Sequence, residues 1–105
     1  MIVVYVRYFG KLRELLGVRK EEYKVDEGTT LMDLLVNFIP QKHPEVFESW
    51  TGTLFRTVKG ELAQSKNSVP VLGNYLITLN GKSASLREKM IERDEVAVMP
   101  PFGGG

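Results

Sequence analysis

The sequence predicts an α+β fold, a mixed sheet packed on one main helix, and three observations predict it. Residues 2–9 alternate Val4, Val6 and Tyr8 with Tyr5, Arg7 and Phe9, the period of a half-buried strand. Leu31, Leu34, Leu35, Phe38 and Ile39 recur at helical spacing and form an apolar stripe that needs a sheet to cover. Glu95–Met99 alternates again near the other end, and Pro100-Pro101 forbids its continuation.

The remaining elements fall between these. Gly10 closes the first strand, Lys11–Leu16 carries Leu12, Leu15 and Leu16 on one helical face, and Gly17 stands where a helix would be capped. Glu22–Val25 reads as a short second strand with a charged edge, followed by a turn at Asp26-Glu27-Gly28. Thr30 and Asp33 have capping-box spacing at the start of the main helix, which Pro40 is expected to stop. His43-Pro44 opens a short helix bearing Val46, Phe47 and Trp50, interrupted by Gly52 and Gly60, and Gln64–Ser68 is polar loop. Tyr75–Leu79 is a strand, Asn80-Gly81 a tight turn, and Ser85–Met90 a helical turn. The first two strands then pair as a hairpin. The main helix reverses the chain, so the first and last strands can meet in parallel. That order is a β-grasp, read as a single domain over residues 1–105 with residues 100–105 as an extended tail.

Composition narrows the function. The chain has 14 basic and 13 acidic residues, one histidine and no cysteine. Charge signs alternate locally instead of forming a basic stripe, which argues against nucleic acid as a partner. Without cysteine there is no disulfide, iron–sulfur cluster or thiol nucleophile, and a cytoplasmic location is expected. No apolar run is long enough to span a bilayer, so no membrane partner is expected. A lone histidine makes no typical zinc site, so no metal is expected, and His43 reads as a solvent-facing structural residue. Asp26-Glu27 and Asp94-Glu95 sit at turn and strand boundaries, where carboxylates cap or solvate. The glycines form neither a dinucleotide fingerprint nor a phosphate-binding loop, so the chain carries no cofactor of its own.

The chemistry concentrates in Pro100-Pro101-Phe102-Gly103-Gly104-Gly105. Two prolines hold the exit extended. Gly103 and Gly104 lack Cβ atoms and can thread a channel too narrow for side chains. Gly105 then presents an unhindered carboxylate. A carboxylate is a poor electrophile, so its use requires a partner that spends ATP, with cationic groups and Mg²⁺.

Together with Val6-Arg7-Tyr8-Phe9-Gly10-Lys11-Leu12-Arg13-Glu14-Leu15-Leu16-Gly17, Thr30-Leu31-Met32-Asp33-Leu34-Leu35 and Leu79-Asn80-Gly81, the terminal run from Asp94 to Gly105 resembles the molybdopterin synthase small subunit. More broadly the chain resembles the ubiquitin-like sulfur carriers, including the thiamin carrier. The resemblance implies that Gly105 is adenylated by an E1-like adenylyltransferase and converted to a thiocarboxylate. It further implies sulfur donation with the large subunit of molybdopterin synthase as partner, catalytic side chains being supplied by partners. A protein modifier joined to lysines through Gly105, or a thiamin-type carrier, is the alternative. The family usually has Gly-Asp before the final strand. Arg93-Asp94 stands there in this chain and implies a different turn geometry, and residues 51–74 look like an insertion.

If Val4, Val6 and Tyr8 face the core, Phe9 faces out, and Met99 points opposite to the inward face of the last strand. Phe9, Leu79, Met99 and Phe102 are therefore the expected docking patch beside the tail.

Overall fold

The computed structural model describes residues 1–59, 61–64 and 69–100. Expectations that fall on Gly60, residues 65–68, Pro101, Phe102, Gly103, Gly104 and Gly105 lie outside the described residues.

Strand β1 (Ile2–Tyr8) is followed by helix α1 (Gly10–Leu16) and strand β2 (Lys20–Val25). Gly17 ends α1 at φ 75 and donates its N–H to the Arg13 carbonyl. Helix α2 covers residues 31–42, and Thr30 caps it through the reciprocal bonds with Asp33. A 3₁₀ turn at Pro44–Val46 leads into α3 (Phe47–Leu54), then the small hairpin β3 (Thr57–Val58) and β4 (Glu61–Leu62). Strands β5 (Leu76–Leu79), β6 (Lys82–Ser83) and β7 (Glu95–Met99) complete the chain.

The main sheet has the order β2-β1-β7-β5-β6. β1 pairs antiparallel with β2 and parallel with β7, and β7 pairs antiparallel with β5. The fold is a β-grasp. Its core lies between the inward sheet residues Val4, Val6, Tyr8, Ile77, Val96 and Val98 and the helical residues Leu12, Leu31, Leu34, Leu35, Ile39, Trp50 and Leu54. No buried side-chain nitrogen or oxygen among the described residues lacks a partner.

Three expectations are corrected. Pro40 does not stop the helix. A π-helical turn over Leu34–Phe38 precedes it, with the Ile39 N–H reaching the Leu34 carbonyl, and the wider turn accommodates a ring that has no N–H to give. Gly52 lies inside α3 and does not break it. Ser85–Met90 is a turn followed by an isolated bridge between Lys89 and Thr30, not a helical turn. In the turn before β7, Arg93 adopts φ 68, the left-handed conformation that glycine favours.

Candidate functional site

The parallel β1–β7 ladder decides where the tail begins. Its register runs from Tyr5↔Glu95 to Tyr8↔Val98, so both strands end at the same edge of the sheet centre. Phe9 and Met99 follow on the outward face, both half-buried. β5 adds a third row, because Leu76 pairs with Met99 and Thr78 with Ala97. The outward surface at this end is therefore Phe9, Met99 and Leu76 across three strands, with Ala97 and Thr78 one step behind. Leu76 is 43% exposed.

Leu79 does not join this surface. It pairs with Val96, whose side chain is fully buried, and packs against the core. Strand alternation puts Leu79 with Ile77 on the inner face and Leu76 with Thr78 on the outer. Leu76 is thus the residue sequence reasoning missed; the pairing of Ile77 with Val98 is what reveals it, and no local pattern does.

The patch has a charged margin. Arg7 Nε lies 2.8 Å from Glu95 Oε1, both side chains roughly half exposed. With Phe9, Ala97, Met99 and Asn80 they line a shallow depression of about 400 Å³. A larger cleft, about 940 Å³, opens between α2, α3 and the β3–β4 hairpin and shares no lining residue with the first. Beside the depression, the Asn80-Gly81 turn is tied to the approach to β7. The Asn80 amide donates to Asp94 Oδ1 at 2.9 Å, the Glu95 N–H donates to Asn80 Oδ1 at 2.9 Å, and the Ile91 N–H donates to Asp94 Oδ2 at 2.7 Å. Asp94 is a buried cap, as its boundary position suggested.

His43 is not solvent-facing. Its side chain is 13% exposed, and Nε2 lies 2.8 Å from Glu21 Oε2, where the carboxylate also accepts from the Tyr8 and Tyr23 hydroxyls. Burial alone would push the Glu21 carboxyl up, but the hydrogen bonds from Tyr8, Tyr23 and His43 outweigh it and hold it below the usual range. Burial, then neighbouring Tyr23 and Glu21, pushes the Tyr8 phenol far up. This network fastens β2 to the α2–α3 junction. Among the described residues no cluster of histidine, aspartate and glutamate could hold a metal ion, and no helix is long and apolar enough to cross a membrane.

Fold and site together define a ubiquitin-like β-grasp domain whose last strand, β7, ends at the sheet centre beside an apolar patch. The model of the ThiS family matches residues 6–105, and the chain belongs to that family of sulfur carriers. A search of the curated proteins finds no significant match. Among solved structures, a Pyrococcus furiosus protein assigned as molybdopterin converting factor, subunit 1, is 27% identical with a TM-score of 0.67, over 97% of this chain and 100% of that one. The fold also matches small archaeal modifier protein 1 from Haloferax volcanii (24% identity, TM-score 0.69, 97% and 100% coverage). The Methanosarcina acetivorans protein of that name matches at 22% identity and a TM-score of 0.68, over 100% of this chain and 98% of that one.

Proposed function

We propose that this chain carries sulfur as a thiocarboxylate on Gly105 and donates it in molybdopterin biosynthesis, in the cytoplasm, as the small subunit of molybdopterin synthase. One observation supports this most: β7 delivers Pro100 beside β1, next to the half-buried Phe9 and Met99 and the exposed Leu76, immediately ahead of Pro101-Phe102-Gly103-Gly104-Gly105. An E1-like adenylyltransferase docks on that surface. A Gly105 carboxylate oxygen attacks the α-phosphorus of ATP, pyrophosphate leaves, and partner cations with Mg²⁺ offset the repulsion between the two anions. A sulfide-level nucleophile then attacks the acyl carbon and expels AMP. The resulting thiocarboxylate enters the large synthase subunit and supplies sulfur to a pterin precursor. Similarity to the Pyrococcus furiosus protein favours the molybdopterin pathway over the thiamin one.

Ordering each tail residue in a partner channel costs about 1–2 kcal/mol of backbone entropy. Docking of the apolar surface must offset that cost, so patch and tail work as one device. The experiment is affinity purification of the full chain and of a chain lacking Gly104 and Gly105, with sulfur transfer assayed on both. Recovery of one synthase-like partner, and transfer lost on truncation, is the expected result. Transfer by the truncated chain would refute the proposal. A ladder of covalent lysine adducts would identify a protein modifier instead, since an amine can attack the same acyl-adenylate.

A further inference from the structure

The two strands at the sheet centre part company at one rung. The β1–β7 register holds its offset from Tyr5↔Glu95 to Tyr8↔Val98, and the same offset carried two rungs further brings Gly10 beside Pro100. At that rung Gly10 takes φ +59 and turns the chain out of the strand into α1, a conformation that side-chain-bearing residues rarely adopt. Pro100 has no N–H with which to extend a ladder, and because another proline follows, its backbone is kept out of the helical region. Its ring lies against the bare face of the glycine. A Cβ on residue 10 would stand 3.4 Å from Pro100 Cγ and 3.8 Å from Cδ, ordinary contact distances, so the two residues are neighbours and it is the positive φ that a side chain at residue 10 would strain.

We propose that Gly10 and Pro100 act as a pair of positioning residues that set the direction in which the C-terminal chain leaves the sheet. This rests on the carrier reading above, since direction matters only if Gly105 must reach a partner's nucleotide. The geometry is economical. The patch formed by Phe9 and Met99 lies one rung before the divergence, so the surface that docks and the residue that aims are fixed to the same two strand ends. Reaction rates fall steeply when reacting atoms are misplaced by about 1 Å, so the direction in which the chain leaves Pro100 bears on reaction at Gly105. A purely structural Gly10 would need the positive φ but not the ring. A purely flexible tail would need neither.

A double-mutant cycle on the full chain separates these cases: Gly10→Ala, Pro100→Ala and the pair. Pro100→Ala introduces no left-handed strain, so it keeps the test open if Gly10→Ala folds poorly, and thermal melts set a temperature at which every variant is native. The readouts are ATP–pyrophosphate exchange with the E1-like adenylating enzyme of the same genome, and nuclear Overhauser contacts between the Gly10 α-protons and the Pro100 ring. The contact is expected in the wild type. Each single variant is expected to lose about tenfold in kcat/KM, mainly in kcat because the docking surface is untouched. The double variant should fall no further than the worse single. Normal exchange by both single variants, or losses that multiply in the double, would overturn the positioning role alone. A wild-type chain that shows the contact but no exchange would overturn the carrier reading and this role with it.

Discussion

His43 Nε2 stands 2.8 Å from the Glu21 carboxylate, and the two residues join the edge strand β2 to the turn between α2 and α3. Glu21 occupies an inward position of β2, opposite Val6, which is why its carboxylate meets the Tyr8 and Tyr23 hydroxyls at 2.8 Å each. A carboxylate at an inward strand position is stable only because every donor in reach is turned toward it.

That arrangement fixes a pH dependence. The Glu21 carboxyl is held below its ordinary value of 4.5 in the folded state. Its contribution to stability is therefore complete above that value and is lost as pH falls through the lowered folded value. Glu21→Gln should flatten this acid limb and cost about 1–3 kcal/mol at neutral pH, since three donors lose a charged acceptor. Thermal unfolding of both proteins as a function of pH checks it; an unchanged acid limb would show that Glu21 carries none of the effect.

The alkaline side has the opposite sign. The Tyr8 and Tyr23 hydroxyls are pushed above their ordinary value of 10.0, chiefly by burial. Their contribution is complete below pH 10 and fades above it, as the unfolded chain ionises first. Tyr8→Phe should remove most of this alkaline dependence, at a cost of about 1 kcal/mol near neutrality for the lost hydrogen bond. Unfolding in denaturant between neutral pH and the alkaline range measures both quantities.

Arg93 offers a gain in stability. It sits at φ 68 in the turn before β7, while Asp94 beside it is buried and accepts from the Ile91 N–H. Arg93→Gly should relieve left-handed strain and stabilise the protein by about 0.5–1 kcal/mol after the greater entropy loss of glycine. Asp94→Ala should destabilise it by about 1–3 kcal/mol by leaving buried donors unpaired. Equilibrium unfolding reports both, and equal stabilities for wild type and Arg93→Gly would show that the turn stores no strain.

The two leucines of β5 separate docking from packing. Leu76→Asp and Met99→Asp should leave the melting temperature nearly unchanged and weaken binding to the adenylating enzyme. Leu79→Asp should unfold readily, because Leu79 packs against the core. Calorimetry and titration with the partner check the pair. A Leu76→Asp protein that binds normally would remove the patch from the account.

The legible part of the fold was local. Period-2 alternation marked β1 and β7, the Thr30–Asp33 box marked the start of α2, and Gly17 marked the end of α1, each within a few residues of sequence. Where reading failed, the deciding partner lay far along the chain. His43 reads as a surface residue in the sequence because Glu21 is twenty-two positions away. Leu79 reads as an outward residue because its face is fixed by the distant Val96, and nothing local marks Leu76 for the same reason. Pro40 misled because propensity describes an ideal α-helix, and the π-helical turn ahead of it is a tertiary accommodation. Of the candidate site, alternation alone puts Phe9 and Met99 on the outward face, while Gly103, Gly104 and Gly105 lie outside the described residues.

Sulfur carriage as proposed takes place at one atom group, the carboxylate of Gly105. Intact mass spectrometry of the full chain, purified from its native cells and again after incubation with ATP, sulfide and the adenylating enzyme, reads that group directly. A species heavier by the exchange of one oxygen for sulfur, with fragmentation placing the change on Gly105, is the predicted result. An unaltered carboxylate in both preparations would contradict it.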